Sequence, residues 1–170
     1  SSLGTSDESV KLDAAQEEWK SVMQVVQKTE MHTFGPAALN NLSLRNRVHF
    51  YLEKDRQMQT VSTCATDVAV VDANSATDFE VAGSSANQRS MSALEYLLFN
   101  DNLDHTCAAN VSSVSSWNTL PEAERKVQRC ALSKLIVDDV ATNAEQIHVD
   151  WTASRDEFLN PDEVGTRFEL

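Results

Sequence analysis

The sequence predicts an all-α domain, an up-and-down helical bundle with long surface loops. Three observations support this. Apolar residues recur at three- and four-residue spacing over two long stretches, as on a helix with one buried face. Only four Gly and three Pro occur in 170 residues, too few chain-breaking residues for a turn-rich β architecture. Polar, Ser- and Asn-rich segments separate the periodic stretches and read as loops. A chain of this length buries roughly 70% of the surface that it exposes when unfolded, so it needs neither metal nor disulfide merely to fold.

Residues 1–8 are polar, and Thr5 with Glu8 stands in capping-box order. A first helix is expected from there to about Phe34. Leu12, Ala15, Trp19, Val22, Met23 and Val26 share one face, with Glu17, Glu18, Lys20 and Gln24 on the other. Gly35-Pro36 ends it, a flexible residue followed by one that cannot donate the next helical hydrogen bond. Residues 37–54 are less regular. Arg45, Arg47 and His49 alternate with Asn46, Val48 and Phe50, a period of two, but a single strand would lack a partner. The reading is an extended or short helical connector that turns Val48, Phe50 and Leu52 inward.

A second helix is expected from about Asp55 to Val71, then a small, polar loop over 72–85, then a third helix from about Asn87 to Phe99. Residues 100–118 read as another loop. The fourth helix opens on Thr119-Leu-Pro-Glu122, with Thr as cap, Pro in the first turn and Glu at the capping-box position. Val127, Cys130, Ala131, Lys134, Ile136, Val137, Val140, Ala144, Ile147 and Trp151 mark its inward stripe, Lys134 being the exception. Asn160-Pro161 ends that helix near Phe158. Residues 1–160 therefore read as one helical-bundle domain and 161–170 as the start of a truncated following segment.

The formal net charge is −12. An acidic surface repels phosphate backbones and anionic lipid, which argues against nucleic acid or bare membrane as partner and leaves cations compatible. The acidity is dispersed, and a solvated acidic surface is its simpler reading. No run approaches the ~20 apolar residues needed to span a bilayer. The chain starts at Ser1 rather than Met and reads as a processed or trimmed piece, so the missing signal segment does not argue for the cytoplasm. Cys64, Cys107 and Cys130 include no Cys-x-x-Cys pair, so their spacing indicates neither a zinc knuckle nor a thioredoxin-like site.

The segment Asn87-Gln-Arg-Ser-Met-Ser-Ala-Leu-Glu-Tyr-Leu-Leu-Phe99 resembles the signature block of the imelysin family. Trp19 through Phe34-Gly35-Pro36 is similar to that family's Trp-bearing helix ending in Phe-Gly-Pro, and Arg47-Val-His-Phe-Tyr51 to its following aromatic segment. Asp104-His-Thr-Cys107 and Arg129-Cys-Ala131 look like its paired Cys positions. The resemblance implies a bacterial protein that is exported, periplasmic or anchored to the outer membrane in the manner of a lipoprotein. It also implies two helical-bundle halves, of which this chain supplies the first and has the C-terminal half as partner. The family is linked to iron uptake, so a metal ion (iron or another divalent metal) or an uptake-system protein is the implied ligand, and some members are described as peptidases. A Cys107–Cys130 disulfide is implied in the same way, with free buried thiols as the alternative.

The family's Gly-x-His-x-x-Glu motif falls on Ser90, Ser92 and Glu95, so only its Glu is retained. Replacing an imidazole by a neutral hydroxyl at Ser92 removes a good nitrogen ligand for iron or zinc. A metallopeptidase needs about three protein ligands and a base, and no His-Glu-x-x-His or His pair at helical spacing occurs here. No catalytic residue is assigned. Glu95 borders an apolar helix face and has three readings: a structural carboxylate, a metal or ligand contact, or a base. Ser92, His105 and Asp104 are the other ligand candidates, and Asn87 and Arg89 are supporting residues. For Asp104 and His105 the simpler reading is a solvated loop capping the helix end. Three functions remain in view: an accessory or binding component of metal uptake, an imelysin-type metallopeptidase, and an interaction module that has lost the site.

Overall fold

The computed structural model describes residues 7–30, 34–50, 52–54, 57–59 and 62–158. Helix α1 spans Glu8–Glu30. A 3-10 turn at Gly35–Ala38 leads into α2, Leu39–Val48. A short antiparallel hairpin follows, β1 at Leu52–Lys54 against β2 at Gln57–Gln59, with Glu53 opposite Met58. Then come α3 at Thr63–Ser75, a single turn α4 at Ala86–Arg89, α5 at Met91–Phe99, and the long α6 at Glu122–Phe158. The fold is all-α, as expected, with α6 as the spine on which α2, α3 and α5 pack.

Several sequence expectations are corrected. The period-two stretch is helical as far as Val48, in keeping with a short helical connector, but a strand that was not expected follows at Leu52–Lys54 and pairs with β2. Residues 57–59, expected to be helical, are strand, and α3 begins only at Thr63, where the Ser62 side chain accepts the Ala65 N–H. The third helix is broken in two. Ser90 lies between α4 and α5 in extended backbone, φ −102° and ψ 176°. Thr119 is no helix cap, since its hydroxyl donates to the Ser116 carbonyl within a 3-10 turn. Pro121 provides the carbonyl that accepts the Glu124 and Arg125 N–H groups at the start of α6. Thr5, His32 and residues 159–170 lie outside the described residues.

The segment 100–118 is more than a surface loop. It places Val114 and Trp117 in the core, and the Trp117 indole N–H donates to the Leu103 carbonyl at 2.7 Å. The core also takes Ala69 and Val70 from α3, Met91, Leu94 and Leu97 from α5, and Leu132 and Ile136 from α6. Helix α1 rests on α5: Gln16 donates to the Leu98 carbonyl, Trp19 Nε1 to the Met91 carbonyl, and the Trp19 ring meets Phe99 edge-on at 5.3 Å. Only Met23 of α1 is fully buried, so the face expected to be inward is only partly covered. No described helix is long and apolar enough to cross a membrane.

The inward line of α6 also differs from the expected stripe. Arg129, Leu132, Ile136, Asp139, Val140 and Asn143 are buried, while Val127, Cys130, Ala131 and Val137 are exposed. An apolar count puts charges outside. Here two charges point in, because each finds an opposite charge on another helix.

Candidate functional site

The motif segment sits at the centre of the packing. Arg89, at the end of α4, grips Asp139 of α6 with two nitrogens, at 2.9 and 2.5 Å, and also donates to the Ala82 carbonyl. Both partners are buried. Such a pair is costly to desolvate and is worth keeping only when its geometry is good and its remaining donors are satisfied. Asn87 supports the same joint from the other side: its side-chain oxygen accepts the Ser62 N–H and its carbonyl accepts the Thr66 hydroxyl. The two supporting residues thus fasten α4 to α3 and α6.

Ser92 is buried, and its hydroxyl donates to the Phe50 carbonyl at 2.5 Å. A hydroxyl therefore stands where the motif has an imidazole. Here the side chain instead fastens α5 to the end of the α2 segment. Ser90 replaces the motif's Gly, and its extended backbone does not require glycine. Its hydroxyl is fully buried with no hydrogen-bond partner among the described residues.

Glu95 projects from α5 into solvent and has no hydrogen bond or ion pair among the described residues. The protein beside it withholds enough water to push its carboxyl above the usual range. Asp104 is paired with Arg125 at 2.6 Å. His105 takes its backbone N–H to Asn118 at 3.0 Å, and its Nδ1 is buried without a partner among the described residues. No group of three His, Cys, Asp or Glu able to hold a metal ion occurs among the described residues. The described residues around the motif do not by themselves form a metal centre. Ser92 donates its hydroxyl hydrogen to a backbone carbonyl, and Glu95 has no partner among the described residues.

A second buried ion cluster escaped the sequence reading. Asp67 of α3 accepts the Tyr96 hydroxyl at 3.0 Å, the Thr106 N–H at 2.7 Å and the Thr106 hydroxyl at 2.9 Å. Arg129 of α6 comes within 3.5 Å of the same carboxylate, donates to the Asn102 carbonyl and lies over the Tyr96 ring. Burial, with the Asp67 charge beside it, raises the Tyr96 hydroxyl above its ordinary range. No linear spacing in the sequence links positions 67, 96, 106 and 129, so only the folded arrangement reveals the cluster.

The expected Cys107–Cys130 bridge is wrong. Cys107 is joined to Cys64, and Cys130 is free and exposed on α6. Thr106, held on Asp67 and on the Thr63 hydroxyl at 2.8 Å, carries its neighbour Cys107 to the first turn of α3. Cys130 lies on the outward side of α6, one residue past buried Arg129.

Away from the motif, α1, α2 and the second half of α6 enclose a groove of about 900 Å³. Val22 and Val25 of α1 face it and remain 43% and 59% exposed. Trp151 lines it too, and its ring meets Phe34 edge-on at 5.5 Å. Gly35 has φ +55°, and a Cβ there would stand 3.0 Å from the Trp151 ring, so both its backbone and the close ring require glycine. On another wall Glu30 pairs with Arg45 at 2.7 Å and lies 3.7 Å from His49 Nδ1. Burial, then the Arg45 charge, holds the His49 imidazole below its usual range despite Glu30.

These features define a disulfide-tied, all-α domain whose signature segment serves as a joint between helices. The imelysin family model matches residues 5–167, and the chain belongs to the imelysin family. No curated protein and no solved structure matches it.

Proposed function

We propose that this chain is a non-enzymatic accessory or binding component of iron acquisition, working outside the cytoplasm in the periplasm or at the outer membrane. The observation that carries this reading is the division of labour within the motif segment. Ser92 and Arg89 are committed to packing, and Glu95 alone is left exposed with no partner among the described residues. A single carboxylate with raised proton affinity can contribute one ligand to a cation. It cannot assemble the three-ligand, water-activating centre that peptide hydrolysis needs. Any ion at Glu95 takes its other ligands from outside the described residues, from the C-terminal half or from an uptake partner.

Location outside the cytoplasm is supported by the Cys64–Cys107 disulfide, because such bonds persist in oxidising compartments and are reduced inside most cells. The net charge of −12 favours cationic over anionic partners.

Calorimetric titration of the intact chain with ferric and divalent ions tests the reading, with Glu95→Ala as comparison. Heat that is lost in the variant is expected, and silence with every ion removes the metal role. Incubation with a denatured protein substrate tests the peptidase alternative, and cleavage abolished by a chelator would establish it. If metal binding is silent, cross-linking with metal stripped tests the interaction-module reading, which expects a protein partner.

A further inference from the structure

We propose that the groove between α1, α2 and the C-terminal half of α6 is a haem site, with His148 as the iron ligand and Arg155 as the contact for a propionate carboxylate. The inference goes beyond the reading above and does not depend on Glu95.

Haem is a flat, largely apolar ligand with one metal that accepts imidazole and two carboxylates at one edge. A site for it needs an apolar slot, an imidazole facing the slot and a cation at its mouth. The groove has about 900 Å³, within the roughly 300–1,000 Å³ of small-molecule and cofactor sites. Val22, Val25 and Val26 of α1 form one side, and Val140, Ala144 and Ile147 of α6 form the other. Val22 and Val25 leave much of their surface to water.

Helix α6 arranges the polar groups. Val140, Ala144, His148, Trp151 and Arg155 all line the groove and follow at steps of four, four, three and four residues, one face of a helix. That face is apolar first and ends in an imidazole and a guanidinium. His148 and Arg155 are both exposed, and their side chains have no hydrogen bond or ion pair among the described residues. A cation with no partner among the described residues, on an apolar wall in a chain of net charge −12, marks that end for an anionic group. Seven residues of helix separate the imidazole from the guanidinium by about 10 Å along the axis, the scale on which a haem's carboxylates stand off from its iron. Across the groove His49 is held towards its neutral form, the form that binds metals, and it adds a second imidazole to the lining. A simple fatty acid would satisfy the valines and Arg155 but would leave His148 without a role.

Titration of the 170-residue chain with ferric haem, followed by absorbance, tests the site. Saturable one-to-one binding with the Soret shift of imidazole ligation is expected. His148→Ala should abolish the shift and weaken binding at least tenfold. Arg155→Ala should weaken it several-fold and keep the shift. Glu95→Ala should change neither, which separates this site from the ion-binding reading. Both groove side chains are exposed, and circular dichroism confirms that the variants fold. The proposal is overturned if no saturable change appears or if His148→Ala keeps the shift. It is also overturned if metal-free protoporphyrin binds as tightly as haem, since the groove would then be an apolar acid site with no iron ligand.

Discussion

In its N-terminal half α6 presents Arg129, Leu132, Ile136 and Asp139 to the other helices, and all four are buried. In its C-terminal half it presents Ala144, Ile147, His148 and Trp151 to a groove. The first half keeps charges inside, each met by an opposite charge from α3 or α4. The second half keeps apolar groups outside, opposite valines of α1 that are themselves half in water. One continuous helix therefore serves two purposes. Where it is locked, the buried ion pairs fix the register of α3, α4 and α5 against it. Where it is open, uncommitted apolar surface remains available to a ligand. In imelysin-type sequences the motif would be expected to carry the ligand chemistry, yet here it lies in the locked half.

The sharpest test of the locked half is Arg89→Ala. It leaves Asp139 buried without its partner and should cost about 3–5 kcal/mol, read as a lower denaturant midpoint. Adding Asp139→Ala should recover part of that loss, because the stranded charge is then gone. Next in size is the disulfide. It closes a 43-residue separation, and the chain-entropy model assigns such a loop about 4 kcal/mol. Unfolding with and without reductant should differ by roughly that amount, and Cys130→Ser should not change the difference. A bridge re-formed through Cys130 would show up as a changed disulfide-linked peptide map.

The contrast between the halves can be measured directly. Leu132→Ala, at a site with no exposure, should cost about 2–5 kcal/mol, whereas Val25→Ala on the groove should stay within about 0.5 kcal/mol. Equal costs would mean that the groove is not open in solution. Ser90→Ala removes a buried hydroxyl that has no partner among the described residues and should stabilise the fold by up to about 1 kcal/mol, visible as a higher melting temperature.

The smallest expected effect is pH-dependent and belongs to the groove. The folded-state pKa of His49 lies below the ordinary imidazole value of about 6.5. The unfolded chain therefore takes up the proton first, and stability falls as pH drops below 6.5 until the folded pKa is passed. Arg45, Glu30, His148 and Arg155 are the charged or titratable groups that share this groove. His49→Asn should flatten that part of the stability profile. An unchanged profile would assign the slope to other groups.

Much of the architecture was legible because helices are local. The 3.6-residue period marked α1 and α6, Gly35-Pro36 marked the first break, and the scarcity of Gly and Pro argued against a turn-rich β architecture. The motif block at 87–99 was legible as a resemblance, and so was the loss of its His at Ser92. The hairpin at 52–59 was not, because a strand's partner can be named only when the turn between them is known. The true inward line of α6 was misread because hydrophobic periodicity treats every charge as solvent-facing, while Arg129 and Asp139 are drawn in by Asp67 and Arg89.

The sequence by itself determined the helical class, the position of the motif and the absence of a His at residue 92, since each is a matter of residue type or short-range spacing. Tertiary structure alone decided that Cys64 rather than Cys130 meets Cys107, that Ser92 binds a backbone carbonyl, and that His148 and Arg155 face one groove. Those outcomes depend on distances between chain segments far apart in sequence, which packing sets and local pattern does not encode.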